Sequence, residues 1–166
     1  MSTHSICMMI NGRRHSGEVE ARVSLSDFLR DDAGYTGVHL GCEHGVCGAC
    51  TVIVDGKAVR SCLILAVQAY GTAITTVEGL AAPDGTLHPV QETMRDEYGL
   101  QCGFCTPGIV MTMAALTADA NKPSEDELLG ALSGHLCRCT GYQGIRRAAR
   151  KLAARSAIEL HSADKS

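Results

Sequence analysis

Apolar residues fall at Ile6, Met8 and Ile10 with other residues between them, the two-residue period of a strand with one buried face. Asn11-Gly12 follows, a dipeptide that accepts the positive φ angles of a tight turn, so the chain is predicted to open with a hairpin. A second hairpin is predicted in TVIV-DG-KAVR, from Thr51 to Arg60, with Asp55-Gly56 at its turn. Between them, Ser24 stands three residues before Asp27 and can cap a short helix through LSDFLRDD. One helix among hairpins predicts a small α+β unit. From Glu78 to Leu87, EGLAAPDGTL concentrates Gly, Pro and Asp and keeps no period, which marks a connection. The pattern then turns helical. PVQETMRDEY fits one helix, and Thr106-Pro107 sets a cap and a first-turn proline before GIVMTMAAL. Ser124 and Glu127 form a capping box before Leu128, Leu129 and Leu132, and YQGIRRAARKLAARSAIEL fits a last helix. Four helices predict a bundle, and HSADKS reads as a frayed tail. No internal repeat is visible. The expected division is a first unit over 1–78, a linker over 79–87, a helical unit over 88–160 and a tail over 161–166.

Composition narrows the partners. The net charge of -3, with four Tyr, two Phe and no Trp, offers neither the basic surface nor the stacking platforms that nucleic acid requires. The longest weakly polar run, PGIVMTMAALTA, falls well short of the roughly 20 residues that cross a bilayer, so no membrane span is expected. The first residues lack the succession of a secretory signal, which makes a cytoplasmic location the expectation. In a reducing compartment, nine cysteines point to metal rather than disulfides.

Cys42, Cys47 and Cys50 follow the spacing C-x4-C-x2-C in GCEHGVCGAC, with Cys62 as a fourth thiol beyond the second hairpin. This is the spacing of plant-type 2Fe-2S ferredoxins. A loop of this kind must converge thiolates on a compact anionic cluster and aim backbone N–H groups at its sulfurs, and Gly41, Gly45 and Gly48 permit the φ angles and close approach involved. Structural zinc usually draws on separated C-x2-C pairs and suits the long C-x4-C loop poorly. A Rieske centre would need histidine three positions after a cysteine, which no cysteine here has, so His44 reads as an exposed loop residue. Cys102 and Cys105 lie in QCGFCTPG, and Cys137 and Cys139 in HLCRCTGY. Alone, C-x2-C could be a redox dithiol or half of a zinc site; the C-x-C partner allows two helix starts to meet around one cofactor, where free N–H groups favour an anion. Arg138 could add compensating charge, or be a solvated surface arginine. Eight thiols make two groups of four, and Cys7 is left over as a small apolar strand residue.

With both patterns in hand, residues 5 to 155 resemble the small iron-sulfur subunit of the molybdenum hydroxylases, the family of xanthine dehydrogenase, aldehyde oxidoreductase, carbon monoxide dehydrogenase and quinoline oxidoreductase. The resemblance implies a ferredoxin-like β-grasp domain followed by a four-helix bundle. It implies that Cys42, Cys47, Cys50 and Cys62 ligate one 2Fe-2S cluster and that Cys102, Cys105, Cys137 and Cys139 ligate a second, nearer molybdenum. Gln101 and Cys139 would lie close to a molybdopterin held by a large subunit, with FAD on a medium subunit and the whole assembled as a dimer of heterotrimers. Substrate would be hydroxylated at molybdenum with oxygen from water, and electrons would leave singly through the helical-domain cluster, then the ferredoxin-like cluster, then FAD. No acid-base or substrate-binding constellation is visible on this chain, as such a division of labour implies. Where relatives commonly read GNLCRC this chain reads GHLCRC, and His135 is read as a satisfied surface histidine, with altered hydrogen bonding around the second cluster as the stronger version. The rival functions are a free ferredoxin-like carrier and a zinc-stabilised interaction module. Arg146 with Arg150 and Arg147 with Lys151 make a basic helix face, read as solvated.

Overall fold

The structure, a computed structural model, describes residues 2–118 and 123–163, with side chains as far as residue 155 in the last helix. Strands β1 (Thr3–Ile10) and β2 (Arg13–Glu20) form the first hairpin, paired in antiparallel register from Thr3 opposite Glu20 to Ile10 opposite Arg13. Asn11 and Gly12 take φ angles of 50° and 75° at the turn, as the dipeptide predicts. Ser24 Oγ accepts from Asp27 N at 3.0 Å and starts α1 (Leu25–Asp27), which widens into a π-helical turn over Phe28–Asp32. Strands β3 (Thr51–Val54) and β4 (Lys57–Arg60) form the second hairpin. A short β5 (Ala73–Thr75) runs parallel to β1 and antiparallel to β3, giving a mixed sheet of order β2-β1-β5-β3-β4. Its three residues carry one buried apolar position, Ile74, too short a run for periodicity to reveal. Ile6, Met8 and Ile10 meet Leu25, Phe28, Leu29, Val52 and Ile74 in one core beneath the sheet.

The second half contains α2 (Pro89–Asp96), α3 (Thr106–Thr117), α4 (Glu125–Leu132) and α5 (Gln143–Ala163). The fold is α+β. Helix α5 extends three residues into the segment expected as a tail, and residues 164–166 of that segment lie outside the described residues. Val90, Met94, Ile109, Met113, Leu128, Ile145, Ala148, Ala149 and Leu152 form a second core among these helices. Helix α3 has no polar face: Gly108 through Ala114 are all buried, because α2, α4 and α5 cover one side and the β3–β4 hairpin covers the other. One helix thus belongs to both halves and fixes their relation.

Candidate metal centres

The loop 41–50 follows residues 33–40 beyond the π-helical turn and runs into β3, with Val38 before it and Cys50 at its end both in the first core. Of the three glycines, Gly45 and Gly48 take φ angles of 83° and 79°, whereas Gly41 supplies clearance: a Cβ there would stand 3.1 Å from Cys47 Sγ. The Cys47 N–H donates to Cys42 Sγ at 3.2 Å. That bond is the largest cause holding the Cys42 thiol down to about 6. Cys62 sits on a 3-10 turn (Ser61–Leu63) that is tied back by Ser61 Oγ donating to Cys50 O at 2.7 Å, and Cys50 Sγ and Cys62 Sγ are 3.3 Å apart. Burial pushes the Cys62 thiol up to about 11, with Cys50 adding to the shift.

The second group joins two helix approaches, as the C-x2-C and C-x-C patterns predict. Cys105 is the N-cap residue of α3 and is buried, while Cys137 and Cys139 precede α5. Side chains meet in two pairs, Cys102 with Cys139 and Cys105 with Cys137. The backbone N–H of Phe104 lowers the Cys102 thiol, and burial pushes Cys105 up to about 12. Cys137 Sγ lies 3.1 Å from Thr140 Oγ1, and Tyr142 Oη accepts from Cys137 N at 2.9 Å. Cys102 and Cys139 are exposed at the surface beside Gln101.

Each group therefore presents its four thiols as two pairs: Cys42–Cys47 with Cys50–Cys62, and Cys102–Cys139 with Cys105–Cys137. Pairs suit a binuclear group, in which each iron takes two thiolates. The chemistry of the donor set and the N–H aimed at Cys42 Sγ both fit an anionic iron-sulfur cluster.

The two groups are stitched together. Leu136 N donates to Cys47 O at 3.0 Å, Arg60 Nη2 to Gly134 O at 2.7 Å, and Arg60 Nη1 to Thr51 Oγ1. His39 Nδ1 bonds Phe104 O at 2.8 Å, and the two rings stack at 5.0 Å. The contacts of Leu136 with Cys47, Arg60 with Gly134 and His39 with Phe104 were not visible in the sequence, because each joins positions distant in the chain.

Two expectations change. His135 is not a surface residue: it is 2% exposed, its Nε2 bonds Thr112 Oγ1 at 2.7 Å, and its buried Nδ1 has no partner. Burial, with Arg60 adding, lowers the imidazole to about 4. Cys7 is half-buried and not simply apolar, since Arg14 Nε donates to its sulfur at 3.1 Å. The basic face of α5 is solvated, as read, and also carries ion pairs: Arg147 and Lys151 both reach Glu97, at 3.4 and 2.9 Å, and Arg150 reaches Glu125 at 2.8 Å. Arg138 and His44 are exposed, and His44 Nδ1 bonds Cys42 O. No helix among the described residues is long and apolar enough to cross a membrane.

Comparison with known proteins agrees with this geometry. Residues 8–72 match the 2Fe-2S iron-sulfur cluster binding domain family and residues 76–150 the [2Fe-2S] binding domain family. The caffeine dehydrogenase subunit gamma of Pseudomonas sp. (strain CBB1) is 54% identical over 148 residues, covering 87% of this chain and 88% of that one. The nicotine 6-hydroxylase small subunit of Paenarthrobacter nicotinovorans is 54% identical over 136 residues, covering 82% and 81%. The crystal structure of quinoline 2-oxidoreductase from Pseudomonas putida 86 superposes with a TM-score of 0.86 at 44% identity, covering 94% of this chain and 97% of the matched chain. With two cysteine groups, each arranged in pairs, and two 2Fe-2S domain matches end to end, this chain belongs to the family of small iron-sulfur subunits of the molybdenum hydroxylases.

Proposed function

We propose that Cys42, Cys47, Cys50 and Cys62 hold one 2Fe-2S cluster, that Cys102, Cys105, Cys137 and Cys139 hold the other, and that the chain conducts electrons between a molybdenum subunit and a flavin subunit. The observation that carries this reading is the hydrogen bond from Leu136 N to Cys47 O at 3.0 Å. It joins a residue of the first thiol group to the neighbour of Cys137, so the two groups share a short path of covalent bonds and one hydrogen bond. When bound, each cluster accepts and returns one electron at a time, at a potential set by charge, hydrogen bonding and burial.

Exposure suggests which partner each end meets. Cys102, Cys139 and Gln101 lie at the surface beside Leu100 and Phe104, which are 41% and 47% exposed. This is the face we assign to the molybdopterin-bearing large subunit. Val46 and Leu63, 56% and 62% exposed, flank the first cysteine loop, where Leu63 lies against Gly45. This second face is assigned to the medium subunit with FAD. Exposed apolar side chains clustered at both ends suit a subunit enclosed by partners better than a shuttle that must stay soluble alone. The central pairing of β1 with β5 and the shared core of α2–α5 support a β-grasp domain over 1–78, a linker over 79–87 and a four-helix bundle over 88–160. Assembly as a dimer of heterotrimers in the cytoplasm completes the proposal.

The test is anaerobic purification of the chain with the large and medium subunits, followed by iron and sulfide analysis and low-temperature electron paramagnetic resonance. The expected result is about four irons per chain and two distinct cluster signals. Cys50→Ser should remove one signal and Cys105→Ser the other. One signal in the wild type, or a monomer that carries electrons with no partner, would overturn the reading.

A further inference from the structure

His135 is the residue at which the two thiol groups and the central helix meet. Its backbone lies between Gly134, whose carbonyl accepts from Arg60 Nη2 at 2.7 Å, and Leu136, whose N–H donates to Cys47 O at 3.0 Å. Its ring reaches in two directions. Nε2 bonds Thr112 Oγ1 at 2.7 Å, on the helix that begins after Cys105. The opposite edge lies against Gly48, between Cys47 and Cys50: a Cβ on Gly48 would overlap His135 Nδ1 and stand 2.9 Å from His135 Cε1 and from Gly134 O.

We propose that His135 is a positioning residue that locks the first cysteine loop at a fixed offset from the second, and so sets the coupling between the two clusters. The inference rests on the reading that both groups hold clusters. Nδ1 is buried with no partner, which a purely space-filling side chain would avoid. What the ring supplies is direction. The bond to Thr112 fixes the ring plane, and the ring edge fixes Gly48, whose positive φ leaves no side chain to hold that position otherwise. The carbonyl of Gly48 packs closely against Gly108 of α3, so the loop is held by one helix and one imidazole.

The test uses the full chain in its assembled complex, anaerobically purified, as His135→Leu, His135→Gln and Thr112→Val. Three quantities are read for each: iron per chain, the midpoint potential of each cluster, and the spin–spin splitting between the two reduced clusters at low temperature. Thr112→Val preserves shape and lies outside both loops, so it reports the hydrogen bond without disturbing the thiols. The expected result is wild-type iron in Thr112→Val and His135→Gln. The splitting should be lost or altered in His135→Leu and in Thr112→Val, with a shifted potential for the first cluster. His135→Gln, whose amide can bond Thr112 Oγ1 in place of Nε2 as either donor or acceptor, should restore the wild-type splitting. Unchanged splitting and potentials in both His135→Leu and Thr112→Val at full iron would overturn the role of His135. Iron for fewer than two clusters in the wild-type chain would instead overturn the reading beneath it.

Discussion

Gly108 and Gly130 both sit inside helices, where glycine costs about 1 kcal/mol relative to alanine, yet their surroundings are opposite. A Cβ at Gly108 would run into the carbonyl of Gly48 and stand 3.1 Å from its carbon, whereas a Cβ at Gly130 meets nothing within 4 Å. Gly130→Ala should therefore raise stability by about 0.5–1 kcal/mol through propensity alone. Gly108→Ala should lower it despite the same gain, by about 1–3 kcal/mol, because backbone must shift where α3 meets the cysteine loop. Thermal unfolding of the two variants checks the difference in sign, and an equal rise in both would refute the close approach. At this scale the grouping of the cysteines and the need for Gly45 and Gly48 were legible, because the thiols recur at fixed spacings and positive φ favours glycine. The burial of His135 was not legible. Its neighbours Thr112, Gly48 and Arg60 come from three other elements, and a histidine flanked by Gly134 and Leu136 carries no local mark of depth.

Helix ends were the elements read most directly. Ser124 Oγ accepts from Glu127 N at 3.3 Å while Glu127 Oε2 accepts from Ser124 N at 2.8 Å, the reciprocal capping the sequence predicts. The cap of α2 is different, since His88 Nδ1 accepts from Val90 N at 3.2 Å and Gln91 Oε1 accepts from His88 N at 2.9 Å. Burial lowers the His88 pKa from its ordinary value of 6.5, so the neutral ring is the folded form and the unfolded chain takes up that proton more readily. The contribution of this cap is complete above the ordinary histidine value and is lost as pH falls below it. Unfolding followed at about pH 7.5 and about pH 5.5 should show a larger loss in the wild type than in His88→Asn, which keeps an acceptor that does not titrate, while the buried His135 contributes the same loss to both. Equal losses in both proteins would refute the cap. What the sequence left hidden at this level was β5 and the π-helical turn. Three residues cannot display a period, and β5 is held as a strand by its pairing with β1 on one side and β3 on the other.

For the molecule as a whole, α3 is the wall that both thiol groups share, since it starts after Cys105 and its Gly108 packs against Gly48. Leu63→Asp should leave about four irons per chain and weaken capture of the flavin subunit at least about tenfold. Phe104→Asp should do the same for the large subunit alone. Association measured with each partner separately checks this, and equal loss of both partners in either variant would contradict the two-face arrangement. The division into an α+β half and a helical half was visible from periodicity, whereas the joint between them was not, since α3 looks apolar all round for a reason lying in the other half. The parallel pairing of Met9 and Ile10 with Ala73 and Ile74 has a consequence for synthesis. On the ribosome, Cys42, Cys47, Cys50 and Cys62 all emerge before the strand that completes the platform under them. Until residue 75 is free of the exit tunnel the sheet lacks the strand that joins β1 to β3, so the loop carrying those thiols emerges before the core that pins it is complete.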